Sequence, residues 1–137
     1  FEQVMRINVT SQFMLTQAVM PLLQKAKSAS IAFTTSSVGR KARAYWGAYA
    51  VSKFATEAMM QLLADELENT SEIRVNAINP GATATSMRSR AYPAEDPNTI
   101  ASPEDIMPLY LYLMGDDSLE VNGQSIDAQE KKEKTSN

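Results

Sequence analysis

A tyrosine and a lysine four residues apart are the first candidates for chemistry in this sequence. Tyr49 and Lys53 lie in the stretch AYAVSK, which contains no helix breaker. On a helix, residues at this spacing share a face, with Cβ atoms about 5–6 Å apart. A lysine ammonium near a phenol favours the phenolate, which makes Tyr49 a candidate proton donor or acceptor. Taken alone, the pair favours the simpler interpretation, a packed tyrosine beside a solvated lysine.

The composition restricts which other groups could take part. The 137-residue chain contains neither histidine nor cysteine. It therefore lacks the commonest general base and metal ligand, and any thiolate, and we predict no metal site. Acid–base chemistry near neutral pH must fall to a carboxylate, a lysine or a tyrosine. The lack of cysteine also fits a reducing compartment, and we expect a cytoplasmic protein.

Size and charge exclude further classes of protein. The chain has the length of about one small domain, and its 44% hydrophobic and 21% charged residues are typical of a globular protein. Its formal charge is −3, without a basic cluster in the body of the chain, so we predict no nucleic-acid partner. No apolar run approaches the roughly 20 residues that cross a bilayer, and no charged-then-apolar leader opens the chain. We therefore predict no membrane partner.

Helical and extended segments alternate along the chain. The predicted order is a helix over 1–26, a strand over 30–37, a helix over 48–68, a strand over 73–79, a helix over 102–115 and an extended piece over 123–128. Such alternation indicates an α/β fold whose parallel strands carry helices on both faces. In such sheets a ligand binds outside the carboxyl ends of the strands.

The patterns within these segments give finer expectations. In the first helix, Leu15 and Leu22 fall on the apolar stripe; in the second, Val51 and Leu62 are on the apolar side and Glu57 stays solvated. The segment over 82–101 lacks periodicity and is predicted to be a long, mobile loop. In the last helix, Ser102 is the expected N-cap, Pro103 the first residue and Gly115 the stop, and Pro108 should kink or loosen a turn. The charged tail over 130–137 is predicted to be disordered.

Three further features oppose the simpler interpretation of the pair, and the first two begin at the carboxyl ends of predicted strands, at the rim where Tyr49 and Lys53 also lie. Ser36 and Gly39 form an S-x-x-G motif thirteen residues before Tyr49, and NPGATAT over 79–85 follows a strand directly. Asn8 interrupts an apolar helix stripe; burying its amide unpaired would cost about 1–3 kcal/mol, so we expect a specific partner. Each feature is weak alone, but their joint order and spacing is specific.

Together these motifs resemble the classical branch of the short-chain dehydrogenase/reductase family. The resemblance covers residues 1–129 and implies the C-terminal half of a Rossmann-like, doubly wound parallel sheet. It also implies hydride transfer between NAD or NADP and a carbonyl or secondary alcohol, in the style of 3-oxoacyl-[acyl-carrier-protein] reductases. By motif, Tyr49 would be the catalytic acid/base and Lys53 would favour its ionised form and bind the nicotinamide ribose. Ser36 would hold the substrate oxygen, and Asn8 would anchor a water of a proton relay.

The resemblance also assigns a cofactor site and a partner. Pro80 and Gly81 would place the backbone beside the nicotinamide, and Thr83 and Thr85 would contact its carboxamide, Thr83 through the main chain. The loop over 86–100 would be a substrate lid. The helices over 1–26 and 48–68 would form the interface of a homo-oligomer.

The family's glycine-rich turn and the site that selects NAD or NADP are not in this sequence. We therefore expect the C-terminal portion of a longer reductase, inactive alone, or the product of an incomplete gene. A non-catalytic oligomerisation module derived from the family is the alternative from another functional class. The extended, sugar-nucleotide-modifying branch of the superfamily shares Tyr-x-x-x-Lys but usually places the serine further upstream, so we rank it lower.

Overall fold

The computed structural model describes residues 1–130, so the predicted disordered tail lies outside the described residues except for Glu130. Its helices are α1 (Glu2–Met5), α2 (Ser11–Lys25), α3 (Gly47–Glu68), α4 (Ser86–Ala91) and α5 (Pro103–Met114). Its strands are β1 (Ala29–Thr34), β2 (Ile73–Asn79) and β3 (Ser125–Asp127). A π-helical turn, Arg6–Thr10, joins α1 to α2, and short 3-10 turns span Ser37–Gly39, Pro97–Thr99 and Asp116–Ser118.

The three strands form one parallel sheet in the order β1-β2-β3. Ala29 pairs with Ile73 at one end of the first ladder, and Ala77 pairs with Ser125 in the second. Parallel neighbours require crossover connections, and α3 and α5 provide them. The predicted α/β architecture with a parallel sheet is therefore confirmed.

Helices cover both faces of this sheet. On one face, Phe33 and Val75 pack with Met60 of α3 in the hydrophobic core. On the other face, Ser30 Oγ donates a hydrogen bond to the Leu113 carbonyl of α5 at 2.8 Å. The central strand β2 is buried at every position but its last. Its buried polar residues have hydrogen-bond partners: Arg74 donates to the Ser118 carbonyl and Asn76 to the Val121 carbonyl.

The predicted helix faces are partly wrong. Leu15 and Leu22 are exposed, as are Val51 and Leu62, whereas Glu57 is buried. In the first helix, the π turn takes an additional residue and so shifts the face that the following turns present to the sheet. In α3, the buried positions are mostly small or polar, because this helix packs closely against the sheet and the Ser37–Gly39 turn.

The prediction of a structureless segment over 82–101 is also wrong. Helix α4 occupies its middle, with Thr85 Oγ1 accepting from the Arg88 amide at 3.2 Å as the N-cap. Arg88 then donates to both carboxylate oxygens of Glu95, at 2.8 and 2.9 Å. The Ala84 amide donates to the Ala101 carbonyl at 2.8 Å, which joins the two ends of the segment. The mobility of this segment stays a prediction.

The ends of two elements refine the sequence prediction. Strand β1 ends at Thr34 rather than at residue 37. Helix α5 begins as predicted, because Ser102 and Asp105 form a reciprocal capping box at 2.8 and 3.2 Å. It continues through Pro108 and ends before Gly115, whose backbone is extended rather than left-handed.

Candidate active site

Tyr49 and Lys53 lie in the first two turns of α3 and share a face of the helix, as their spacing predicts. Tyr49 is 38% exposed, whereas Lys53 is only 7% exposed. Lys53 Nζ lies 5.6 Å from the centroid of the Tyr49 ring and donates to the Thr34 carbonyl at 3.0 Å. The pair therefore combines an accessible phenol with a buried amine, which contradicts the simpler interpretation of a solvated lysine.

Burial changes how the Lys53 amine holds its proton. Desolvation disfavours the charged form, so the pKa of Lys53 is lowered from its ordinary value. An amine whose pKa is lowered in this way releases its proton more readily than a solvated lysine does.

Ser36 begins the turn that faces this pair. It is half-buried and extended, and its Oγ accepts from the Val38 amide at 3.4 Å. The Gly39 amide donates to the Ser36 carbonyl at 2.9 Å, and a Cβ at Gly39 would lie 2.8 Å from the Lys53 backbone and Cβ. The S-x-x-G motif is thus explained by close contact: only glycine lets this turn rest on α3 at Lys53.

The same contacts place the serine turn and the pair on one side of the sheet. Thr34, which accepts from Lys53, lies at the carboxyl end of β1 and precedes Ser36 by two residues. The structure therefore brings Ser36, Tyr49 and Lys53 to a common rim.

Asn8 lies in the π-helical turn and has the specific partner that its position predicts. Its Nδ2 donates to Ser52 Oγ at 3.0 Å, and Ser52 Oγ donates to the Tyr49 carbonyl at 2.7 Å. Ser52 directly precedes Lys53. The turn and its amide therefore connect the first helix to the Tyr49–Lys53 pair. Such π turns inside helices frequently occur at functional sites.

The residues predicted to contact the cofactor follow β2 at the same end of the sheet. Gly81 has a left-handed backbone, with φ +73°, and its amide donates to Asn79 Oδ1 at 3.2 Å. Thr83 Oγ1 donates to the Gly81 carbonyl at 3.1 Å. Thr85 caps α4, and Pro80 lies directly after the strand.

The sequence patterns did not predict a polar cluster around Glu57. Glu57 Oε1 accepts from Thr35 Oγ1 at 2.7 Å and from Ser125 Oγ at 2.6 Å. Arg40 Nε lies 3.5 Å from the same oxygen, and Arg40 Nη1 donates to Asp127 Oδ1 at 2.5 Å. The cluster joins α3, the loop after β1 and strand β3 beneath the rim.

One sequence signal could have indicated the burial of Glu57. It lies four residues after Lys53 and eight after Tyr49, and therefore on the same helical face. Its partners, however, come from 17 to 68 residues away in the sequence, so spacing along the helix does not reveal them.

The protein has a parallel α/β sheet with a Ser-x-x-Gly turn and an accessible Tyr-x-x-x-Lys pair at its carboxyl edge. These features define its class. The family profile of short chain dehydrogenases matches residues 1–96. The chain belongs to the short chain dehydrogenase family.

Several relatives match almost the whole chain. The "Uncharacterized oxidoreductase YciK" of Escherichia coli K12 is 59% identical over 129 residues, which are 94% of this chain and 50% of the relative. A short chain dehydrogenase structure from Salmonella enterica serovar Typhi has a TM-score of 0.89 and 61% identity, covering 92% of this chain and 51% of that one. An Escherichia coli CFT073 structure complexed with NADPH has a TM-score of 0.88 and 60% identity, covering 92% and 52%.

This chain thus spans about half the length of the relatives that it matches. Over residues 1–130, no helix combines the length and apolar character needed to cross a membrane.

Proposed function

We propose that the full-length protein containing this chain is an NADPH-dependent reductase that transfers a hydride to a carbonyl group, or in reverse from a secondary alcohol. The observation that carries the proposal is the accessible Tyr49 phenol beside the buried Lys53 amine. Membership of the short chain dehydrogenase family and similarity to a structure complexed with NADPH support it. A cytoplasmic location is part of the same proposal.

The residues at the rim fit such a cofactor. The turn over 80–82 leaves the carboxyl end of the central strand, where nucleotides bind in doubly wound sheets, and its glycine, Gly81, adopts the left-handed backbone of a tight turn. Pro80 and Gly81 would lie beside the nicotinamide, Thr83 and Thr85 would contact its carboxamide, and Lys53 would bind its ribose. When bound, the nicotinamide supplies the hydride.

The chain's own residues would handle the proton. Tyr49 would donate a proton to the carbonyl oxygen as the hydride arrives at carbon, and Ser36 Oγ would hold that oxygen in place. Lys53 would stabilise the resulting phenolate. Asn8, in the π turn beside Ser52, would anchor the water through which a proton returns. Precise alignment of such groups contributes much of an enzyme's rate enhancement.

The Tyr49→Phe variant of the full-length protein tests the proposal. It removes the proton donor but keeps the ring, so NADPH oxidation with aldehydes and ketones should fall by about 10²- to 10⁴-fold. The circular dichroism spectrum should stay unchanged. Tyr112→Phe, at an exposed tyrosine of α5, is the matched control and should retain activity. Unchanged turnover in Tyr49→Phe, with the oligomer retained, would instead support the non-catalytic oligomerisation module.

We further propose that residues 1–137 alone do not catalyse the reaction, because the family's pyrophosphate-binding turn lies in the part of a reductase that this sequence lacks. A fluorescence titration of the isolated chain with NADPH measures this directly. Saturable micromolar binding together with ketone turnover would overturn it.

The narrower substrate proposal is a 3-oxoacyl thioester. It rests on the family resemblance. The test compares kcat/KM for acyl thioesters with kcat/KM for simple aldehydes in the full-length protein. A preference for simple aldehydes would eliminate the thioester.

A further inference from the structure

A glutamine after the last strand clamps the turn that follows the central strand. Gln129 lies two residues beyond β3 and is half-buried. Its Nε2 donates to the Pro80 carbonyl at 2.8 Å and to the Ala82 carbonyl at 2.9 Å. A primary amide nitrogen has two hydrogens, so the two carbonyls that flank Gly81 satisfy both.

The clamp and the glycine depend on one another. A Cβ at Gly81 would lie 2.8 Å from Gln129 Nε2, so a side chain there would collide with the amide as well as strain the left-handed backbone. Glycine therefore gives the glutamine access to the turn, and the glutamine holds the turn in the conformation that glycine permits.

Strand β3 anchors the other side of the same turn. The Gly81 amide donates to Asn79 Oδ1 at 3.2 Å, and Asn79 Nδ2 donates to Asp127 Oδ1 at 3.1 Å. The Ala128 amide donates to the Asn79 carbonyl at 2.9 Å. The turn is thus fixed by the C-terminal segment rather than by its own sequence alone.

The clamp also orients the N–H of Thr83, the next amide group after Ala82. The Ala82 carbonyl and the Thr83 N–H belong to one planar peptide and, in a trans peptide, point in opposite directions. Because the Ala82 carbonyl points at Gln129, the Thr83 N–H points away from Gln129. This is the main-chain group that the proposed function assigns to the nicotinamide carboxamide.

We propose that Gln129 is a positioning residue for the nicotinamide end of the cofactor: it orients the 82–83 peptide so that its N–H meets the carboxamide. This inference rests on the proposed function. It assigns a role in cofactor binding to a residue that lies beyond every motif from which the sequence predicted the site.

The test compares two ligands in the full-length protein, NADPH and 2′-phospho-ADP-ribose, which has no nicotinamide. Gln129→Met keeps the length of the side chain but removes both N–H donors. It should weaken NADPH binding by about tenfold, as expected for the loss of one to two hydrogen bonds, and leave 2′-phospho-ADP-ribose binding unchanged. Gln129→Glu, which places carboxylate oxygens against the two carbonyls, should weaken NADPH binding further.

Gln124→Met is the matched control, because Gln124 is an exposed glutamine that precedes β3 and its side chain donates to the Asn122 carbonyl of its own segment at 3.4 Å, while its bonds to β2 are made by the backbone. It should bind both ligands like the wild type. Equal NADPH affinity in Gln129→Met and wild type would overturn the inference, as would equal loss for both ligands, which indicates general damage to the fold. A wild-type protein that binds neither ligand would instead refute the proposed function itself.

Discussion

At the scale of single residues, the site depends on the contrast between two neighbours on α3. Tyr49 reaches solvent while Lys53 is enclosed between α3, the Ser36 turn and the end of β1. Solvent access lets a phenol meet a substrate, and enclosure makes an amine costly to charge. The same spacing on a fully exposed helix would leave both groups solvated and would not give this contrast.

Replacing Lys53 tests its enclosure through the pH dependence of stability. Because the pKa of Lys53 is lowered in the folded protein, the unfolded chain binds the proton more tightly at a pH between that lowered value and the ordinary value. The free energy of unfolding of the wild type should therefore rise with pH in that window, relative to Lys53→Met. Urea unfolding of the full-length protein without cofactor, from about pH 7 to about pH 10, measures the difference.

Lys25→Met is the control for this experiment, since Lys25 is an exposed lysine in the last turn of α2. A stability difference between wild type and Lys53→Met that does not change with pH would show that the amine is solvated in the native protein.

At the scale of elements, the site depends on the close packing of a turn against a helix. The Ser37–Gly39 turn rests on α3 at the residue that carries the amine, with no room for a methyl group at Gly39. On its other side, α3 receives the π turn through the bond between Asn8 and Ser52. Direct contacts between their elements thus fix the positions of Ser36, Lys53 and Asn8 relative to one another.

Gly39→Ala should disturb both stability and catalysis. The added Cβ would lie 2.8 Å from Lys53 backbone atoms, so the turn must move away from α3, at a cost of about 1–3 kcal/mol. The displacement also moves Ser36 relative to Tyr49, and kcat should fall. Chemical unfolding and turnover in the full-length protein measure the two effects.

Gly123→Ala separates these effects, because Gly123 has φ +70° but a Cβ there would make only an ordinary 3.5 Å contact with Ala64. It should cost about 1–2 kcal/mol in backbone strain and leave kcat unchanged. If both variants lost stability and neither lost activity, close contact at Gly39 would have no part in the chemistry.

At the scale of the whole molecule, α2 and α3 present an apolar groove between them. The groove has a volume of about 670 Å³, and Phe13, Met20, Met59 and Leu62 contribute to its lining. Exposed apolar surface of this kind is typical of interaction sites. We propose that it is the homo-oligomer interface that was expected for these two helices.

Leu62→Glu tests this interface in the full-length protein. Leu62 is 62% exposed in the groove, and a charge there should dissociate the oligomer because burying it unpaired is costly. Leu111→Glu, at an α5 residue that is 72% exposed and outside the groove lining, should leave the oligomer intact. Sedimentation velocity measures the mass; an unchanged mass for Leu62→Glu would exclude this face as the interface.

The sequence alone determined the element order and the positions of the motifs. Strand β2, the cap of α5 and the Tyr49–Lys53 helix follow from local patterns, namely apolar runs, capping residues and helical spacing. Asn8 belongs here too, because an amide on an apolar stripe requires a partner even before that partner is known. The order of the motifs, read together, also indicated the family.

Only the tertiary structure decided which side chains are enclosed. The burial of Glu57, the exposure of Leu15 and Leu62, and the clamp of Gln129 on the turn over 80–82 arise from contacts between elements far apart in the sequence. Periodicity specifies the face of an isolated helix, but the faces that become buried depend on a π turn, on a glycine contact and on the strands that pack beneath. Burial sets the pKa of Lys53, so the step from motif to chemistry required the fold.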